Sequence, residues 1–318
     1  MLADAAHGLT AAETAVLTRR VTLLSVATAV VLLGIKAVAW TASGSVAMLA
    51  SMADSGLDLL ASLITFFAVR YAAAPPDDEH RYGHGKAEAF SSLVQAGLVF
   101  ASAALIGQEA IRHLIAPAPV HNEGWAIAVM AVSIGLTLVL VLAQGRVLRQ
   151  TNSVAVSGDR AHYISDLASN FAALAGLAAV ALTGWAGFDA LAGLAVAGLL
   201  VWAAVEVFRE ASGQLLDHEL SDAARAQITA LAQADPRVLD IHQLRTRAAG
   251  PYVHIQMHMD LDPDLSLEEA HVLVIAAEAR VLAAFPSADI IIHPDPRGRA
   301  EPHGGAFAES EYRHVHTA

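Results

Sequence analysis

Residues 46–71 read VAMLASMADSGLDLLASLITFFAVRY. This stretch is apolar over the roughly 20 residues that a helix needs to cross the hydrocarbon core of a bilayer. It nevertheless carries two aspartates, Asp54 and Asp58. Because charged side chains at membrane depth are costly, we expect both to face the interior of a helical bundle and to have partners there.

Five further apolar segments of spanning length accompany this one. They are Val21–Thr41, Ala89–His113, Trp125–Leu148, Ala161–Thr183 and Phe188–Phe208. The composition agrees, since 55% of the residues are hydrophobic, 16% are charged and the mean hydropathy is +0.49. Because backbone groups in lipid must be satisfied within their own segment, the sequence predicts a transmembrane bundle of six helices.

Basic residues predict the orientation of the bundle. One set of connections carries nearly all of them, and the opposite set carries only Arg112. The basic positions on the first side are Arg19, Arg20, Arg70, Arg81, Lys86, Arg146, Arg149, Arg160 and Arg209. By the positive-inside rule, both termini are expected in the cytoplasm of a multi-pass protein.

Beyond the last apolar segment, the sequence has the pattern of a soluble α+β domain. Ser221–Ala232 and Ser266–Phe285 are predicted helices, and in the second Ser266 and Glu269 form a capping box. The segments 238–247, 252–261 and 288–293 are predicted strands. The expected division is an N-terminal segment 1–18, a membrane domain 19–212, a cytoplasmic αββαβ domain 213–297 and a disordered tail 298–318.

A constellation of metal-ligand type lies in the second and fifth segments. His162 and Asp166 in the fifth segment have the same i, i+4 spacing as Asp54 and Asp58, so each pair shares one helix face. If the helices pack face to face, three carboxylates and one imidazole converge, which suits a tetrahedral divalent ion. The alternative is that these are separate structural polar contacts.

The ligand types restrict the metal. The chain has no cysteine, so every ligand is oxygen or nitrogen. That set disfavours Cu(I) and permits Zn, Cd, Fe(II), Co or Mn. Since metal requires ionised carboxylates and neutral imidazole, metal entry is expected to expel protons, and proton entry to expel metal.

Two further groups could bind metal outside the membrane. Asp77, His80 and His84 lie in the loop after the second segment, where a solvated polar loop is the equal alternative. In the soluble domain, His254, Gln256, His258 and Asp260 alternate along one strand face. A second site is expected at the strand ends in preference to ordinary surface histidines, from His242, His258, His271, His293 and Asp295.

Several other functional classes fit the sequence poorly. A net charge of −12 disfavours a nucleic-acid partner. A membrane metalloenzyme is not expected, because the His-Glu-x-x-His signature and any Ser or Cys nucleophile constellation are missing. A membrane metal sensor that binds without transport is the other rival, and flux measurements would separate it from a transporter.

The motifs resemble those of the cation diffusion facilitator family, in its bacterial zinc- and iron-efflux branch. The resemblance runs from about Arg19 to Asp295. The stretches that carry it are Ser51–Asp58, Asp77–Glu88, Asp159–Asn170, Ile241–Arg247 and Ile290–Asp295.

This resemblance implies an inner-membrane exporter, foremost of Zn²⁺, that exchanges metal for protons as a homodimer. The alternative is an exporter mainly of Fe²⁺ or of Cd²⁺, Co²⁺ or Mn²⁺. It also implies a transport site, a loop site and a regulatory zinc site in a ferredoxin-like, metallochaperone-like cytoplasmic domain. The transport site comprises Asp54, Asp58, His162 and Asp166, the loop site Asp77, His80 and His84, and the cytoplasmic site His242, His258, His271, His293 and Asp295. Lys86 and Asp217 would form a salt bridge between protomers.

Overall fold

The computed structural model describes residues 8–44, 46–115, 124–183 and 187–299. The start of the predicted N-terminal segment and nearly all of the predicted tail lie outside these residues. The chain divides into two compact units. One comprises Ala12–Leu216 with Ala249–Pro251, and the other comprises mainly Asp217–Ala248 and the residues from Tyr252 onward.

Six long helices make up the first unit. They are α1 (Ala11–Ser43), α2 (Val46–Ala72), α3 (Ala87–Ile115), α4 (Gly124–Thr151), α5 (Val154–Thr183) and α6 (Gly187–Leu215). Within the described residues, five segments are long and apolar enough to cross a membrane, in α1, α2, α3, α4 and α6. The prediction of a membrane domain is confirmed for these five, and a sixth span in α5 stays a prediction.

The first half of helix α5 is polar. It carries Asp159, Arg160, His162 and Asp166 within two turns. Ser153 begins the helix, accepting from the backbone N–H of Val156 and donating to the buried carboxylate of Glu88 on α3. These contacts fix the end of α5 from which the metal-ligand residues project.

The helices pack through small residues and methyl groups. Helix α5 packs against α3, α4 and α6, and α2 packs against α3 and α5. Val99 and Ala103 of α3 are buried against Leu200 and Ala204 of α6. Gly158 lets α5 approach α3 closely, since a Cβ there would lie 2.6 Å from Ser92 Oγ.

The second unit contains two helices and three strands in the predicted order. They are α7 (Asp222–Ala232), β1 (Asp240–Ala249), β2 (Tyr252–Leu261), α8 (Leu267–Ala284) and β3 (Ala288–Pro296). Ser221 caps α7, and Ser266 with Glu269 forms the capping box of α8, as predicted. Strand β3 runs three residues past its predicted end because it pairs with the full length of β2.

The sheet has the order β1-β2-β3, with β2 and β3 parallel. One face of β2 supplies the core: Val253, Ile255 and Met257 pack with residues of α7 and α8. Because side chains alternate along a strand, the other face of β2 presents His254, Gln256, His258 and Asp260. The register sets His258 beside His293 and Asp260 beside Asp295.

Candidate metal sites

Three of the four predicted transport ligands meet between α2 and α5. The Nε2 atom of His162 lies 3.1 Å from Asp58 Oδ1 and 3.9 Å from Asp166 Oδ2. One ligand atom from each residue lies within 4.8 Å of the others. Asp58 and His162 are buried and Asp166 is half-buried, which is the arrangement that a small desolvated cation site requires.

The fourth predicted ligand, Asp54, lies one turn away along α2 and is exposed. It stands outside the group of three, although it interacts electrostatically with Asp58 and His162. The positive charge of Lys36 on α1 also interacts electrostatically with Asp54 and Asp166. Asp54 therefore stays a predicted ligand, and its carboxylate would have to move closer to the other three residues before all four could bind one ion.

A second buried carboxylate on α5 is satisfied entirely by neutral donors. Asp159 is fully buried and accepts from Ser25 Oγ at 2.6 Å, Gln144 Nε2 at 2.8 Å and Gln95 Nε2 at 3.4 Å. Tyr163 adds a contact of 2.8 Å with Ser62 Oγ and donates to the carbonyl of Ser25. We call Asp159, Ser25, Gln95 and Gln144 the α5 clasp. The sequence does not reveal this cluster, because the spacing of residues along the chain does not show that four helices converge on one carboxylate.

The predicted loop residues also come together. His80 Nδ1 lies 3.2 Å from Asp77 Oδ1, and His84 Nε2 lies 3.2 Å from Asp77 Oδ2. His84 is buried and its ring stacks within 4.4 Å of Tyr71. The backbone N–H of His80 donates to Asp77 and lowers the pKa of that carboxyl below its ordinary value. The carboxylate is therefore ionised and available to a cation at neutral pH.

A third cluster lies on the sheet of the second unit. His242, His258 and Asp295 each offer a ligand atom within 4.8 Å of the others. Asp295 is buried, with Oδ2 2.8 Å from His258 Nδ1 and Oδ1 3.3 Å from His293 Nε2. Burial lowers the pKa of His258, opposed by its hydrogen bond with Asp295. A neutral imidazole is the form that binds metal.

Other predicted residues are placed differently. His271 is exposed on α8 and is outside the group of three. His254 is buried and contacts Asp289 at 3.2 Å, four residues along β2 from His258. Lys86 donates to the carbonyl of Leu215 and Asp217 accepts from Arg247, so their pairing between protomers stays a prediction.

The three clusters share one chemistry. Each combines imidazole and carboxylate in reach of a single ion, and none includes sulfur. Such ligands suit divalent ions of the zinc type at distances of about 2.0–2.2 Å. Of the three clusters, the first lies between α2 and α5.

Comparisons with known proteins agree with this arrangement. Residues 22–216 match the family description "Cation efflux transmembrane domain", and residues 220–297 match "Cation efflux protein, cytoplasmic domain". The boundary between the two matches falls where the chain divides into its two compact units.

Curated relatives match over most of their length. The chain is 46% identical over 272 residues to the cation-efflux pump FieF of Shewanella oneidensis, which covers 86% of this chain and 92% of that protein. It is 39% identical to FieF of Citrobacter koseri, over 88% of this chain and 93% of the relative. A solved chain of a zinc transporter, CzrB, in its zinc form is 33% identical over 27% of this chain and 98% of its own length. Its TM-score of 0.25 carries no structural argument. Two matched domains and full-length relatives together show that the chain is a member of the cation diffusion facilitator, or cation efflux, family.

Proposed function

We propose that this protein exports divalent metal cations, with Zn²⁺ as the principal cargo, in exchange for protons. The observation that carries the proposal is the meeting of Asp58, His162 and Asp166 between α2 and α5. The family and the curated cation-efflux relatives support export of a metal cation. The cargo and the proton coupling rest on the chemistry of the ligands.

The ligand set favours zinc but also permits other divalent transition metals. Two carboxylates and one imidazole, with Asp54 as the fourth ligand, provide the tetrahedral oxygen and nitrogen donors that zinc accepts. Fe(II), Cd, Co and Mn bind the same atoms, so the geometry that the helices impose decides among them.

Proton exchange follows from the charge of the site. Asp58 Oδ1 and Asp166 Oδ2 both face the Nε2 atom of His162, at 3.1 and 3.9 Å. Protons on these groups replace the positive charge that the ion supplies, and metal binding requires the same groups to release them. Binding of metal and of protons is therefore mutually exclusive at this site.

Transport requires that the site open to each side in turn. We place both termini in the cytoplasm of a bacterial inner-membrane homodimer, in which rocking of the helices alternates access to the transport site. Metal at the loop and cytoplasmic clusters regulates this motion. It can do so only by binding one conformation more tightly than the other.

The test is zinc flux into proteoliposomes that contain the purified protein and a zinc-sensitive dye. We expect flux to increase when an imposed pH gradient drives protons the other way. We expect Asp58→Asn to lower flux by at least about 100-fold, because it removes a ligand at the centre of the site. Glu206→Gln is the matched control, since Glu206 is an exposed carboxylate on membrane helix α6.

Two results would contradict the proposal. Zinc flux that is indifferent to the pH gradient removes proton exchange, and normal flux in Asp58→Asn removes the assignment of the site. Flux measured metal by metal under the same gradient ranks Zn²⁺ against Fe²⁺, Cd²⁺, Co²⁺ and Mn²⁺.

A further inference from the structure

Two rows of side chains cross the exposed face of the sheet in the second unit. The parallel register pairs His258 with His293 in one row and Asp260 with Asp295 in the next. Because side chains two residues apart on a strand point to the same face, these four form a square of two imidazoles and two carboxylates. His258 and Asp295 belong to the cytoplasmic cluster described above, and His293 contacts Asp295 at 3.3 Å. We infer that Asp260, the fourth corner, is a direct metal ligand of this cluster.

The position of His242 supports this assignment. Its Nε2 atom lies 3.3 Å from Asp260 Oδ1 and 3.4 Å from Asp295 Oδ2. The two carboxylates therefore approach the same ring nitrogen from adjacent strands. An ion bound to that nitrogen would lie within reach of both.

The charge balance of Asp260 also calls for a cation. Like charges directly opposite each other on neighbouring strands are destabilising. Within the described residues, the only side chain in polar contact with Asp260 is His242, so no Lys or Arg offsets the repulsion from Asp295. The side chain of Asp260 is 21% exposed, which leaves it partly open to an ion from solution.

An orienting role for Asp260 fits the geometry less well. A carboxylate that only orients a metal-bound histidine accepts from the ring nitrogen that the metal does not use. Asp260 instead faces the nitrogen that also faces Asp295, on the side where the cluster converges. Asp260 is therefore on the ligand side of the ring.

The consequence is a complete four-ligand site within one protomer. His242, His258, Asp260 and Asp295 supply two nitrogen and two oxygen ligands, the number that a closed zinc site requires. Asp260 lies outside the group of three whose ligand atoms are all within 4.8 Å of one another, so its carboxylate would move closer to His258 and Asp295 when the four bind one ion. His293 and His271 are then left for a second ion. This inference deepens the proposed function and rests on it only for the presence of metal at the cytoplasmic cluster.

The test uses the full-length protein in detergent, with the other two clusters silenced by Asp58→Asn, Asp166→Asn, Asp77→Asn and His84→Gln. Zinc affinity is measured by competition with a chromophoric chelator. We expect Asp260→Asn to weaken zinc binding by about 10-fold or more, a loss at least as large as that of an outer-shell partner. Asp289→Asn is the matched control, since it removes an exposed carboxylate from the same sheet, and its affinity is expected to stay unchanged.

Cobalt distinguishes a ligand from an orienting group. Loss of a ligand changes the intensity and position of the visible bands of bound Co²⁺, because these report its coordination. A weakened affinity with an unchanged cobalt spectrum would show that Asp260 only orients His242, and would overturn the inference. Asp260→Glu keeps a carboxylate at this position and is expected to recover most of the affinity, which excludes a folding defect as the cause.

The remaining outcomes separate this inference from the proposed function. If Asp260→Asn binds zinc like its parent while His258→Ala does not, Asp260 is not a ligand and the cytoplasmic site stands. If neither substitution changes zinc binding, the cytoplasmic cluster is not a metal site and both proposals for it fail.

Discussion

Helix α5 contributes a carboxylate to each of two clusters, one fully buried and one half-buried, that differ in what neutralises them. Asp159 belongs to the α5 clasp, where a hydroxyl and two amide groups donate to it from three other helices. Asp166 lies two turns further along, where the Nε2 atom of His162 is 3.9 Å from Asp166 Oδ2 and 3.1 Å from Asp58 Oδ1. The protein itself satisfies the first cluster, and we propose that an ion completes the second.

This difference separates a structural polar contact from a binding site inside a membrane. Both cost free energy to bury, so both must be compensated. In the clasp, the compensation is permanent and ties α1, α3, α4 and α5 together. In the cluster of Asp58, His162 and Asp166, the Nδ1 atom of His162 is buried with no hydrogen-bond partner in the described part of the chain. That site gains most when an ion or protons enter.

The largest expected effect is on zinc transport, which should respond differently to substitution of the two α5 carboxylates. Asp166→Asn should lower zinc flux in proteoliposomes by at least about 100-fold, because a ligand is lost. Asp159→Asn should leave flux within about 10-fold of the parent, since its amide can bond with the side-chain oxygens of Gln95 or Gln144, which have no partner in the described structure. Equal losses in the two variants would show that the clasp takes part in transport chemistry.

The next effect concerns stability, where we expect Asp159 to matter more than Asp166, the reverse of the order for transport. Asp159→Ala should lower the free energy of unfolding by about 3 kcal/mol, because it leaves buried donors without an acceptor. Asp166→Asn should leave it unchanged or raise it, because one of two neighbouring buried charges disappears. Denaturant unfolding of the metal-free proteins in mixed micelles measures both. A stable Asp159→Ala variant would contradict the structural role of the clasp.

A third prediction concerns the pH dependence of stability at His258 in the cytoplasmic cluster. Burial lowers the pKa of His258 below 6.5, so the folded protein binds fewer protons there than the unfolded chain. The contribution of this group to stability is therefore fully present above the unfolded pKa and is lost as the pH falls below it. Carbon-13 NMR of labelled histidines in the metal-free protein should show His258 titrating below the usual range. Titration above that range would contradict the assigned environment.

The smallest effect uses a structural contact of the cytoplasmic domain. Ser266→Ala removes the capping box of α8 and should lower the stability of that domain by about 1 kcal/mol. Zinc affinity at the cytoplasmic cluster should not change, because neither Ser266 nor Glu269 belongs to it. Calorimetry of the same samples gives both quantities, and loss of zinc binding in this variant would link helix capping to the site.

The sequence predicts much of the fold for clear physical reasons. Apolar runs of spanning length locate the membrane helices, and alternation and capping residues locate the strands and helices of the second unit. The i, i+4 spacing of His162 and Asp166 correctly implies that they share a helix face. Helix α1 begins at Ala11, ten residues before the apolar segment Val21–Thr41, because hydropathy locates the membrane-spanning part of a helix and not its polar first turns.

The rest depends on contacts between elements that spacing does not encode. The α5 clasp forms only when four helices converge. From the sequence alone, Asp159 therefore cannot be distinguished from the other polar residues near His162. Asp260 gains its meaning only from the β2 and β3 register, which sets it beside Asp295. Conversely, spacing places Asp54 with Asp58, whereas the structure leaves it exposed one turn away.

The most direct measurement is X-ray absorption at the zinc edge of a protein in which only the α2–α5 cluster remains, with the loop and cytoplasmic clusters removed by substitution. Sharing of one ion by the two helices predicts one zinc per protomer with oxygen and nitrogen neighbours at about 2.0–2.2 Å, and its loss in both Asp58→Asn and His162→Gln. Zinc that remains bound with unchanged neighbours in either variant would contradict the claim that α2 and α5 hold the transported ion between them.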